Sequence, residues 1–146
     1  MYNSTKLKVW TLITHFFIVV GAGHGIGCLG MIELAGFSDM AAAEFTFSLW
    51  QPFRNSWHSV AVSSILGQAV LLLSIFLKGK KSKTIGHMAG LLVLWTSIYY
   101  FTHNNEYPGS IHYSFFFCLP FFICSIFPLL PFIFTPVKRL YNWIQS

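Results

Sequence analysis

The sequence predicts an all-α, polytopic membrane protein: a four-transmembrane-helix bundle with both termini cytoplasmic. Three observations predict it. Of 146 residues, 55% are hydrophobic and 9% charged, whereas a soluble domain carries about a quarter charged residues. Residues 9–32, 55–77, 84–105 and 107–137 hold no Asp, Glu, Lys or Arg, and about 20 apolar helical residues suffice to cross a bilayer core. Eight of the nine basic residues fall on one side of these four stretches. An aromatic content of 18% excludes a disordered chain. The length leaves no room for a soluble domain beside the membrane part.

Four helices are expected near 9–35, 57–78, 85–103 and 113–135, each continuous because lipid offers no partner to a free backbone N–H or C=O. The first follows Lys6 and Lys8. Its apolar run outlasts the roughly 7–15 residues of a signal-peptide core, so it reads as a retained helix. It carries Gly21, Gly23, Gly25, Gly27 and Gly30. On a helix Gly23, Gly27 and Gly30 form one stripe, and Gly21 with Gly25 another roughly opposite, so neighbouring backbones could approach on two sides.

Residues 38–50 suit a short interfacial helix, opened by Ser38 and Asp39 and stopped before Pro52, with a packed loop as the equal alternative. The second helix offers Ser56, Ser63, Gly67 and Ser74 as a small and polar face, and the third adds Gly86, Ala89 and Gly90. The fourth contains Pro120, Pro128 and Pro131 among many phenylalanines. Each internal proline removes a donor and crowds the preceding turn, so a kinked or partly unwound helix is expected there. The tail 137–146 reads as an interfacial segment.

Charge sets the expected topology. Lys6 and Lys8, then Lys78, Lys80, Lys81 and Lys83, then Lys138 and Arg139 share one side, with only Arg54 opposite. The positive-inside rule makes that side cytoplasmic and places the loops 36–56 and 104–112 outside, a pattern that suits a bacterial inner membrane. The net charge of +5 is therefore a topology signal and no footprint for nucleic acid.

Candidate chemistry rests on histidine. Six occur, beside only thirteen Lys, Arg, Asp and Glu together, and polar groups at membrane depth require a partner or a function. On one continuous helix His15 and Glu33 point the same way but stand about 27 Å apart. His24 points away from both. His24, Glu33, His58, Gln68, His103 and His112 form the candidate polar or ligand site. Gln68 would bond His24 or a carbonyl freed by a proline.

Two histidine layers, His15 with His87 and the external His58 and His103 with His112, are what two b-type haems would need. The external layer with a carboxylate would suit zinc. No His-x-x-x-His or Glu-x-x-His spacing accompanies them, and a structural role for most of the histidines is preferred. Cys28, Cys118 and Cys124 form no Cys-x-x-Cys and read as buried apolar residues. Neither a hydrolase triad nor a nucleotide loop is present.

The expected function is a small non-catalytic membrane subunit that scaffolds or stabilises a larger complex. Its partners would be the lipid bilayer and other membrane subunits or further copies of itself. The alternatives are a b-haem electron-transfer protein, and a carrier or pore for a small solute or ion that uses Glu33, Gln68 and the proline-bearing helix.

Overall fold

The computed structural model describes residues 5–22, 25–41, 53–103, 110–130 and 134. It is mostly helical. In chain order the elements are α1 (Thr5–Phe16), β1 (Val19–Ala22), β2 (Gly25–Cys28), α2 (Leu29–Ala41), α3 (Phe53–Phe76), α4 (Lys80–His103) and α5 (Ser110–Ile126). Within α3, Trp57–Phe76 is long and apolar enough to cross a membrane, the one such stretch found among the described residues. Leu29–Ser38 and Phe116–Ile126 are shorter apolar helices.

The continuous helix expected over 9–35 does not form. It breaks after Phe16 into an antiparallel hairpin, with Val19 opposite Cys28 and Ala22 opposite Gly25, before the chain turns helical again at Leu29. Five glycines between 21 and 30 each weaken a helix by about 1 kcal/mol relative to alanine. The β-branched run Ile18-Val19-Val20 just before them prefers extended backbone. Pairing the two strands keeps their backbone groups satisfied within the chain. The glycine stripes therefore do not exist: Gly21, Gly25 and Gly27 lie in strands, Gly30 in the first turn of α2, and Gly23 outside the described residues.

The break inserts the hairpin without redirecting the chain. Lys8 of α1 bonds Ser74 of α3, His15 of α1 and Glu33 of α2 both reach Gln68, and Gly36 of α2 lies against Ala61. Moving forward through α1 and then α2 thus moves steadily backward along α3. The two helices follow one another on the same partner. Residues 17–28 leave that line at its middle, and the Leu29 N–H donates to the Ile18 carbonyl at 2.8 Å across the gap. The Phe16 ring packs so closely over Gly30 that a side chain there would collide with it.

The remaining helices alternate in direction. α3 and α4 form the most extensive pair, meeting at Gly67 with Leu94, Leu71 with Gly90, and Ser74 with Gly86. Gly79, at φ +99°, turns the chain between them, a conformation costly for any residue with a Cβ. α5 returns along α1, with Cys124 near Thr11 and Phe121 near His15, and touches α4 through Trp95, whose indole donates to Ser125 at 3.1 Å. The result is a four-membered antiparallel arrangement whose first member is α1 plus α2. α5 stays helical through Pro120, and turns replace it after Ile126, around Pro128.

The interior is polar for a protein of this composition. Thr11, His15, Ser59, Ser64, Ser97 and Ser125 are buried beside Leu71, Leu94, Ile98 and Phe121. Large apolar side chains instead face outward on every helix, among them Trp10, Leu34, Leu73, Leu92 and Phe116. Of the segment expected as an interfacial helix, Ser38–Ala41 continues α2; the rest, like the tail 137–146, lies outside the described residues.

Candidate polar site at the centre of the bundle

His15 occupies the last turn of α1 and is fully buried. Each of the other helices contributes a neighbour to it. Ser97 of α4 lies 3.1 Å from Nε2, the Gln68 amide of α3 lies 3.2 Å from Nδ1, and Glu33 Oε1 of α2 lies 3.6 Å from Nδ1. The Phe121 ring of α5 meets the imidazole edge to face, with centroids 5.0 Å apart. Gln68 donates to Glu33 Oε1 at 2.8 Å as well, so one amide nitrogen bridges the histidine and the carboxylate.

The donor pattern defines the imidazole. Ser97 gives its own hydrogen to the Leu94 carbonyl at 2.8 Å, so its oxygen accepts from His15 Nε2–H. Gln68 spends its two N–H groups on Nδ1 and on Glu33, which leaves Nδ1 without a proton. His15 is thus the neutral Nε2–H tautomer, held at both nitrogens. A proton added at Nδ1 would displace the amide and face Glu33 directly, turning a bridged pair into an ion pair. The flanking backbone complements that second state at one end: His15 sits in the last turn of α1, where the macrodipole favours a cation.

This corrects the separation of about 27 Å expected between His15 and Glu33 on one unbroken helix. The strands β1 and β2 lie between them, so α1 and α2 do not add up along one continuous helix axis. Gln68 bonds His15 and Glu33, not His24 and not a carbonyl near a proline. The chain matches no protein-family model, no curated protein and no solved structure.

The other candidates are distributed elsewhere. His58 is buried near the start of α3, with its ring 4.0 Å from that of Trp57. His87 is buried on α4, at the end of the bundle near Lys8. His24 and the side chains of His103 and His112 lie outside the described residues. Among the described residues no three His, Cys, Asp or Glu side chains gather in a way that could hold a metal ion. Cys28, Cys118 and Cys124 are free thiols. Ser63 bonds backward within α3, while Gly67 and Gly90 sit where α3 and α4 approach most closely.

Ser97 is the member of the polar site that spacing alone did not single out. Its signal was a serine inside a charge-free stretch, followed by Ile98, Tyr99, Tyr100 and Phe101. Such a hydroxyl requires a buried partner if the stretch lies at membrane depth.

Proposed function

We propose that the chain is a multi-pass membrane protein in which four segments cross the bilayer, the first as the broken pair α1–α2. We further propose that it acts as a small non-catalytic subunit that scaffolds or stabilises a larger membrane complex. One observation carries the reading: serines, histidine and glutamate are buried among the apolar core residues while large apolar side chains face outward on all helices. In water so much exposed apolar surface would drive association; in lipid it is the ordinary exterior. The lysine-rich end, with both termini, is placed on the cytoplasmic side, as in a bacterial inner membrane. The central polar residues spend their hydrogen bonds on one another, which suits a structural lock more than a site awaiting substrate.

Purification of the tagged chain from its host in mild detergent, followed by mass spectrometry, tests the subunit reading. Stoichiometric membrane proteins that travel with the chain are the expected result. A chain recovered alone at native expression would overturn it.

A second reading, a proton-coupled carrier or pore, is favoured by one observation: a helix broken mid-course beside a buried His15–Glu33 pair 3.6 Å apart. Discontinuous helices with such pairs are how many transporters build ion sites. In proteoliposomes, proton flux that Glu33→Gln reduces at least tenfold would support it; flux equal to that of empty vesicles would end it.

A further inference from the structure

At the end of the bundle where α3 and α4 join, Lys8 is buried, only 2% exposed. Its ammonium has three N–H donors and finds two acceptors, Ser74 Oγ at 2.9 Å and the Ser74 carbonyl at 3.4 Å. The hydroxyl gives its own hydrogen to the Leu71 carbonyl, so it can only accept from Lys8. Among the described residues the third N–H has no acceptor. Gly86 packs directly on Ser74. The next residue, His87, is 7% exposed, and its Nε2 has no hydrogen-bond partner. Lys83 lies one turn before His87 on the same face of α4. Lys8 is near enough to Lys83 for their charges to interact, and the His87 ring lies close by.

Among the described residues no carboxylate answers this positive charge. The carboxylate of Glu33 lies 3.6 Å from His15, which stands two turns further along α1, about 10 Å from Lys8. Lys78, Lys80 and Lys81 add more positive charge around the turn. A bridging water could satisfy two polar atoms but would leave the charge uncompensated. A tetrahedral oxyanion does both, because its several oxygens accept from diverging donors.

We propose that this cluster binds a phosphate group, held by the buried Lys8 and His87 and by the more exposed Lys83. Two sources share that chemistry, the headgroup of an anionic phospholipid and free inorganic phosphate. The lipid source rests on the membrane reading above and the free-phosphate source does not, so failure of either idea can be told apart. Basic clefts between helices at the cytoplasmic face are a recurrent way to hold anionic headgroups.

The test uses the full chain, delipidated in neutral detergent, and follows its unfolding temperature. Phosphatidylglycerol added to the micelles should raise Tm by about 5 °C or more over phosphatidylcholine, as a ligand well above its Kd does. Inorganic phosphate at constant ionic strength should produce no comparable rise if the source is lipid, and the full rise if it is the free ion. Lys83→Gln and His87→Gln should each cut the rise to less than half. They replace a more exposed residue and a side chain without a partner, so both should fold even if Lys8→Met does not. No rise with either probe, or a rise that both variants leave intact, overturns the proposal.

Discussion

Replacing His15 with leucine should be among the most damaging single substitutions in this chain. The imidazole touches α2, α3, α4 and α5 through Glu33, Gln68, Ser97 and Phe121. Leucine fills a similar volume but deletes both hydrogen bonds and strands the Ser97 oxygen and a Gln68 N–H in a dry interior. Removing one partner from a buried polar cluster costs about 3 kcal/mol or more. Glu33→Gln should cost far less, on the order of 1 kcal/mol, because the new amide oxygen still accepts from Gln68. Thermal unfolding in detergent, read by size-exclusion recovery after heating, should rank wild type first, Glu33→Gln second and His15→Leu last. If Glu33→Gln proved the worse of the two, the charge of Glu33, and not the bridging role of His15, would be holding the bundle centre.

Gly90→Val should separate α3 from α4. A Cβ at Gly90 would stand 2.8 Å from the Leu71 nitrogen and 3.0 Å from its Cα. Those are backbone atoms of a packed helix, which cannot swing aside as a side-chain tip can. Even alanine requires the helices to part, and valine adds two further carbons, so a cost of about 3 kcal/mol is expected. Gly27→Ala makes the control, since its Cβ would meet only the flexible Met31 sulfur at 3.4 Å. Detergent-solubilised Gly90→Val should lose several degrees of Tm while Gly27→Ala stays within a degree or two of wild type. Equal losses would mean that the α3–α4 contact does not limit stability.

The helical ranges of α3 and α4 lie within a few residues of those expected from the charge-free stretches and their flanking charges. Composition made that possible: long apolar runs bounded by Lys or Arg have few other foldable forms. The first helix departs from the expected continuous form for a nameable reason. Residues 9–32 form an unbroken apolar run, and hydropathy does not register that Ile18-Val19-Val20 and five glycines oppose helix locally. Read for propensity instead of apolarity, the same letters already warned of a break between Phe17 and Cys28.

The central site divides along the same line. Polar residues inside charge-free stretches were recognisable one at a time: His15, Glu33 and Gln68 all stood out as groups that would need partners at depth. Which of them would meet was not recognisable, because it depends on how far the first helix runs. A continuous helix keeps His15 and Glu33 five turns apart; a hairpin between them sets both against one glutamine of α3. Residue type and run length are local properties, written in the chain, and they settled a mostly helical fold. The meeting of α1, α2, α3 and α4 around one imidazole is a non-local outcome. It depends on the β1–β2 hairpin, which takes up the chain between the two half-helices so that both pack against α3.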